Sequence, residues 1–309
     1  MCCYQYKMER KIPVYNIRNL TKDQHSQKEF LAEPFGEYLQ KHYPHLQLPH
    51  RHSFYHLVMF TKGAGSHTID FSRFKVKPFQ AYFMMQGQVH SWHFDKEVDG
   101  FVINFSETFF RSFLFDASYL ERFYFFNGVA EDSVCQLPVE VHEQVTGIFE
   151  QLVNYIPNGQ GMDMLRVLLL QLFLTIDASV KNTLKKIVPE HKQLLLKNFR
   201  RLIEQYYKTI KLPKEYADLL YVTPNHLNAL CQDLLDKTAG ELIRDRVLLE
   251  AKRLLTNAQM SITEIAYELN FKDNSYFSRF FKKQEQMTPE EFRDRFISGA
   301  NDINPVKRK

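Results

Sequence analysis

The sequence predicts a two-part chain: an N-terminal β-barrel with helices behind it, then an all-α C-terminal domain. Three observations carry this. At 309 residues the chain exceeds the length at which one hydrophobic core usually stops growing. From about Val14 to Phe105, short apolar or alternating runs are punctuated by turn residues, the texture of a multi-stranded sandwich or barrel. After Asn104 the apolar period becomes helical, and Glu190 to Phe296 carries no strand pattern. With 44% hydrophobic and 25% charged residues, wholesale disorder and a fibrous chain are excluded.

In chain order, the candidate strands are Phe54 to Thr61, His67 to Phe71, Ala81 to Met85, Val89 to Phe94 and Gly100 to Phe105. Lys62-Gly63-Ala64-Gly65 and Gln86-Gly87-Gln88 supply turns between them, so the sheet is antiparallel. Phe105 to Phe126 is exceptionally aromatic. Beyond Pro138, Val141, Val145, Ile148, Leu152 and Ile156 keep helical spacing until Pro157-Asn158-Gly159 stops the helix. A second helix, about Met162 to Val180, is apolar nearly all round and must be covered on more than one face, by its own domain or by a second copy of the chain. Leu168 and Leu172 are the positions at which a dimer interface on this helix would be tested. Asn182 to Pro189 then forms a polar link.

The net charge of +4 divides unevenly. Residues 185–309 hold 23 basic against 17 acidic side chains, +6, which leaves −2 for residues 1–184. Cys2, Cys3, Cys135 and Cys231 suit neither a disulfide framework nor a CxxC metal site, which points to a reducing cytosol. Val167 to Leu174 is broken by Gln171 and falls well short of the roughly 18 apolar residues of a membrane span. The N-terminus has no signal-peptide core. A soluble, cytoplasmic protein without a membrane partner is expected.

Ser261 or Thr263 caps a short helix carrying Ile265, Ala266 and Leu269, a turn follows at Asn270-Phe271-Lys272-Asp273, and a second helix buries Phe277, Phe280 and Phe281. Its other face presents Asn274, Ser275, Ser278, Arg279, Lys282 and Lys283, groups that pair with base edges or neutralise phosphate. The same plan occurs upstream: Lys214 to Leu220, a turn at Tyr221-Val222, then Thr223-Pro224 opening a helix to about Leu235 with Asn225, His226, Asn228 and Gln232 outward. Between them, about Ala239 to Asn257 reads as an amphipathic helix with Ile243, Val247, Ala251 and Leu254 on one stripe.

Residues 261 to 283, Ser-Ile-Thr-Glu-Ile-Ala-Tyr-Glu-Leu-Asn-Phe-Lys-Asp-Asn-Ser-Tyr-Phe-Ser-Arg-Phe-Phe-Lys-Lys, with Met287-Thr288-Pro289 and Phe292-Arg293 after them, closely resemble the C-terminal signature of the AraC/XylS transcriptional regulators. The resemblance implies a seven-helix DNA-binding domain over roughly residues 190 to 297, with two helix-turn-helix units. The family usually has Gly where this chain has Asn270, at a position needing positive φ, and Asn tolerates that region best. Tyr221 holds the equivalent place in the first unit, at a cost on the order of 1 kcal/mol. Ala229 and Cys231 stand where the family often carries Arg and Phe. The first unit is therefore expected to read A·T pairs through Asn228 or Asn225, and the second to supply Arg279.

The run Leu-Pro-His-Arg-His-Ser-Phe-Tyr-His, residues 48 to 56, with Gly63, Gly65 and Gln-Gly-Gln-Val-His-Ser-Trp, residues 86 to 92, resembles the cupin-type sensor domain often found ahead of the AraC reader. His50, His52 and His56 are separated by even steps and share a strand face, with His90 joining them across the barrel. Such a set would suit zinc, iron or nickel, but no carboxylate or cysteine supports it, and enzymatic cupins place a carboxylate where this chain has His56. Small-molecule sensing is therefore expected, with no metal and no cofactor: Trp92 and Tyr55 supply walls and His90 orients the ligand. His67 and His93 read as ordinary strand or surface residues.

The domains so predicted are 1–135, a cupin-like effector-binding domain; 136–184, a helical dimerisation and connection segment; 185–297, the DNA reader; and 298–309, a frayed tail. The expected partners are double-stranded promoter DNA, a small-molecule effector, RNA polymerase and a second copy of the chain. No Walker, GxGxxG, HExxH or nucleophile-elbow pattern supports an enzyme. Two other readings remain open: a metal-dependent cupin enzyme with a helical appendage, and a dimeric DNA-binding regulator without an effector.

Overall fold

Turn chemistry and strand alternation account for most of the N-terminal architecture in the computed structural model, which describes residues 12–20, 29–111, 113–114, 119–155, 162–183, 188–257 and 259–297. The Cys2-Cys3 pair, the Pro157-Asn158-Gly159 stop, residues 184–187 of the polar link and the tail 298–309 lie outside them. Two compact units divide at Ile187/Val188.

In the first unit the strands are β1 (Val14–Tyr15), β2 (Phe30–Pro34), β3 (His50–His52), β4 (Tyr55–Lys62), β5 (Gly65–Ile69), β6 (Ser72–Val76), β7 (Gln80–Met84), β8 (Val89–Phe94), β9 (Asp99–Phe105) and β10 (Val134–Gln136). Its helices are α1 (Ile17–Leu20), α2 (Phe35–Leu46), α3 (Glu107–Arg111), α4 (His142–Asn154) and α5 (Met162–Thr183). The strands form two five-stranded sheets, ordered β1-β3-β8-β5-β6 and β10-β7-β4-β9-β2. The expected barrel therefore has a wall of two facing sheets and is not a single closed cylinder.

The second sheet is buried on both faces. Even-numbered Val58, Phe60, Tyr82, Met84 and Val102 pack with Ile69, Val76 and Trp92 of the first sheet and with Phe35 and Tyr38 of α2. Odd-numbered Leu57, Met59, Ala81, Phe83, Ile103 and Phe105 pack on Val145, Ile148 and Phe149 of α4 and on Leu169, Leu172 and Phe173 of α5. Two covered faces explain why these strands read as continuous apolar runs. The segment 136–184, expected as a connection, thus packs on this unit's own sheet and contributes 11 of the 25 described buried residues in the core on that face. On α5, Leu168 and Leu172 are buried in that core, which corrects their assignment to a dimer face; Met164, Val167 and Leu174 are 49%, 46% and 41% exposed.

The expected strand His67 to Phe71 ends early. Asp70 and Phe71 take φ of 45° and 74° and make a two-residue hairpin loop between β5 and β6. Asp tolerates that region, and its carboxylate accepts hydrogen bonds from Gln88 Nε2 (2.7 Å) and from the Val89 amide (3.1 Å), which ties the loop to β8. Helix α2 lies inside the stretch that reads as strands, and Pro44 interrupts its helical pattern from within.

The second unit contains α6 (Glu190–Tyr206), α7 (Pro213–Leu219), α8 (Pro224–Leu235), α9 (Ala239–Leu255), α10 (Ile262–Glu268), α11 (Asn274–Glu285) and α12 (Pro289–Ile297). The others pack around α9 through its buried stripe of Ile243, Val247, Leu248, Ala251 and Leu255; Leu255, not Leu254, completes it. The pairs α7–α8 and α10–α11 are helix-turn-helix units closed in the same way. In the first, the Val222 amide donates to the Ala217 carbonyl and the Tyr221 amide to that of Asp218; in the second, Phe271 donates to Ala266 and Asn270 to Tyr267. These are Schellman closures, and they place Tyr221 and Asn270 at φ of 55° and 56°. The following features recur fifty residues apart: N-caps Thr223 and Asp273, left-handed C-caps Asp236 and Gln286, and the reciprocal Thr238–Glu241 and Thr288–Glu291 caps.

Tyr221 is 96% exposed, so its ring repays little of the left-handed backbone. Tyr221→Gly is expected to stabilise the second unit by about 1 kcal/mol, read as a higher urea midpoint by circular dichroism. An unchanged or lower midpoint would contradict this.

Candidate nucleic-acid interface and buried histidine cluster

Each candidate reading helix is set by its cap and by the residues it buries. On α11, the Asp273 carboxylate accepts from the Tyr276 amide (2.7 Å), while Phe277 and Phe281 are fully buried. That leaves Ser275, Tyr276, Arg279, Lys282 and Lys283 exposed. Arg279 Nε donates to the Ser275 carbonyl one turn back (3.3 Å), which lays the side chain toward the N-terminal half of the helix, the part that contacts base edges in such motifs. Asn274 and Ser278 are only half-exposed and bond to each other (3.3 Å), so they lie at the edge of the face.

On α8, Thr223 Oγ1 accepts from the His226 amide (3.1 Å), and Leu227, Leu230 and Cys231 are buried. Asn225, His226, Asn228 and Gln232 are exposed. Asn228 also has a structural role, because its Oδ1 accepts from the Ala239 amide (3.2 Å) at the start of α9. The fifty-residue repeat pairs Asn225 with Ser275, His226 with Tyr276, Ala229 with Arg279 and Gln232 with Lys282. It also reveals Tyr276 as a candidate contact absent from the expected outward face of α11. The sequence carries a signal for it, since His226 occupies the same place upstream.

The first unit gathers more histidines than expected. His50 and His52 lie on β3, His56 on β4, His67 on β5 and His90 on β8, and all five are buried. The register pairs His50 with His90 and His67 with Trp92. His50 and His52 belong to one sheet and His56 to the other, so the three share the interior because residues 53–54 carry the chain between sheets, not because they lie on one strand. His67 is a member of the cluster and not an ordinary strand residue. Its place two before the inward Ile69 puts it on the same face.

Neighbouring rings are close: His50 and His90 have centroids 4.1 Å apart, His52 and His90 4.7 Å, and His52 and His56 4.8 Å. His67 stacks on Trp92 (3.3 Å), which is packed among Phe35, Phe60 and Tyr82. Burial pushes His50 down to about 4 and His56 to about 3, and holds His52, His67 and His90 well below the usual imidazole range, with neighbouring imidazoles adding to the effect. Tyr55 is not part of this cluster. Strand alternation turns it to the opposite face of β4, where it stacks on Phe105 (4.9 Å). His93 is exposed.

Residues 216–295 match the helix-turn-helix domain family, and residues 36–174 match the AraC-like ligand binding domain family. The chain belongs to the AraC family of transcriptional regulators. Its relatives are regulators and not enzymes. It is 29% identical over 106 residues to the HTH-type transcriptional regulator YijO of Escherichia coli (strain K12), covering 34% of this chain and 38% of that protein. It is 41% identical over 69 residues to the probable transcription factor PqrA of Proteus vulgaris, 22% of this chain and 57% of that one. These first relatives are thus matched over less than two thirds of their own length. The HTH-type transcriptional activator RhaS of Yersinia pestis bv. Antiqua is 22% identical over 253 residues, 79% of this chain and 88% of that protein. Among solved structures, ToxT from Vibrio cholerae O395 matches with a TM-score of 0.44 and 13% identity, over 88% of this chain and 100% of that one. Among the described residues, no helix is long and apolar enough to cross a membrane.

In this AraC-family chain, Asn228 is bonded to the start of α9. Asn228→Ala is expected to lower the stability of the second unit by about 1 kcal/mol and to weaken all duplexes alike in a binding titration. A change of base preference without loss of stability would contradict that assignment.

Proposed function

We propose that the chain is a sequence-specific regulator of its target promoter, that its N-terminal unit binds an effector at the histidine cluster, and that binding shifts the population between arrangements of the DNA-reading units. The observation that carries the DNA reading is the face of Ser275, Tyr276, Arg279, Lys282 and Lys283 on α11, fixed in place by the Asp273 cap and by the burial of Phe277 and Phe281. Arginine pairs bidentately with the major-groove edge of guanine, while lysine acts on phosphate at any sequence. Ala229 offers nothing equivalent on α8, so the first unit depends on Asn225, His226 and Gln232. The 17 residues of α9 span about 25 Å, close enough to one turn of DNA to set α8 and α11 in successive major grooves.

The N-terminal unit also supports pairing with a second copy. Met164, Val167 and Leu174 lie three and seven residues apart on one outward stripe of α5. In this reading the stripe meets its twin, and the dimer brings two readers to one promoter, where RNA polymerase is recruited or blocked.

Titrating the protein against its own upstream promoter and a random duplex over a range of salt tests the reading. Arg279→Ala is expected to cost about 1–3 kcal/mol at the promoter and to relax specificity at one base position, whereas Lys283→Ala weakens both duplexes and lowers the salt slope by about one. Equal binding of promoter and random duplex would overturn the proposal. Val167→Glu is expected to convert a dimer to a folded monomer by sedimentation; an unchanged mass would remove α5 as the interface.

A further inference from the structure

Four of the buried imidazoles are arranged so that a basic nitrogen is left over. His50 Nδ1 lies 2.8 Å from the Leu48 carbonyl oxygen, which can only accept, so Nδ1 carries the proton and Nε2 the lone pair. His56 repeats this with Asn104 Oδ1 at 2.5 Å. His90 Nδ1 lies 3.1 Å from His67 Nε2; either ring can donate, and in the tautomer in which His67 accepts, the lone pair of His90 sits on Nε2. These three Nε2 atoms, and both nitrogens of His52, are buried without a protein partner. A histidine retained only for packing would have its polar atoms satisfied; leaving several buried lone pairs unmade costs on the order of 1–3 kcal/mol each.

One ring nitrogen each from His50, His52 and His90 lies within 4.8 Å of the others. A tetrahedral centre with bonds of about 2.1 Å has an edge of about 3.4 Å, a difference that side-chain rotation closes. We propose that His50, His52 and His90 bind one divalent first-row transition-metal ion of the zinc class, with His56 nearest for a fourth position. The proposal rests on reading this unit as the sensor and names its signal as a metal ion. Its chemistry is specific: neutral imidazole suits zinc, nickel and copper, whereas calcium and magnesium require oxygen ligands. Its size is specific too. Rings of His50, His52 and His90 stand 4.1 to 4.9 Å apart, which leaves no room between them for an organic molecule, and Trp92 closes the space beyond His67. Leu48 and His67 act behind the ligands, each accepting a hydrogen bond from the nitrogen turned away from the ion, the usual arrangement for orienting a metal-bound histidine.

The test uses the full chain with Cys2 and Cys3 changed to Ser, stripped with chelator and dialysed against zinc, with metal content by mass spectrometry and the absorption spectrum of the cobalt-substituted protein. One ion per chain and a tetrahedral cobalt spectrum are expected. His50→Gln and His90→Gln should lose the ion, His93→Gln should keep it, and His67→Gln should bind about 10–100-fold more weakly while staying folded by circular dichroism. If either ligand variant fails to fold, the affinity of His67→Gln decides. A substoichiometric ion, one that survives in folded His50→Gln and His90→Gln, or unchanged affinity in His67→Gln would overturn the site. Promoter binding by the same samples separates the two readings. An ion-loaded chain that ignores its promoter sinks the regulator reading and leaves the metal site standing, and an ion-dependent change in promoter affinity supports both.

Discussion

Two-sided burial of the strands β4, β7 and β9 is the constraint on which the N-terminal unit depends. A strand presents alternate residues to opposite faces, so once both faces are covered each side chain is committed to one of two interiors. Even positions carry His56 and Asn104 to the histidines of the facing sheet, while odd positions carry Tyr55, Phe83 and Phe105 to the helices. A register slip of one residue would exchange the two sets, putting aromatics between the sheets and imidazoles against α5. The aromatic core on the helix side therefore does more than stabilise. It fixes the register that assembles the histidine cluster.

The second unit has its own organising element in α9. Both helix-turn-helix units pack against it, and Asn228 and the Thr238–Glu241 cap bind its first turn. The spacing of the two reading helices then follows from the length of one rigid helix and not from a flexible linker. Charge supports the division of labour. The +6 of residues 185–309 is modest, and some of the basic side chains face inward partners and not solvent, as does Arg246, which lies 2.8 Å from Glu204 and 3.0 Å from Glu250. Binding by so small an excess must draw on specific groove contacts as well as phosphate neutralisation.

Much of this is legible in the sequence, and the exceptions have physical causes. The helix-turn-helix units are readable because caps, apolar faces and the turn residue all agree, and Asn270 and Tyr221 take the expected positive φ. Strands between apolar runs are readable, but the hairpin at Asp70-Phe71 is not, because Phe is an unusual residue for a left-handed position and masks the turn. Tyr55 is misplaced by sequence reasoning that groups it with the histidines, although its position one step from His56 on the same strand turns it to the opposite face. His67 escapes it because its partner, His90, is remote in sequence and adjacent only through the β5–β8 pairing. Leu168 and Leu172 lie in the core and not on an outward face of α5, because a helix apolar nearly all round does not show in its sequence which stripe its own domain covers.

The central claim is that one chain sets two reading helices in successive major grooves of its promoter. Hydroxyl-radical footprinting of the full chain on its upstream region tests this most directly. The account predicts two protected segments on one face of the duplex, centred about 10 base pairs apart, for each bound chain. A single protected segment, or protection of equal strength on any duplex, would contradict it.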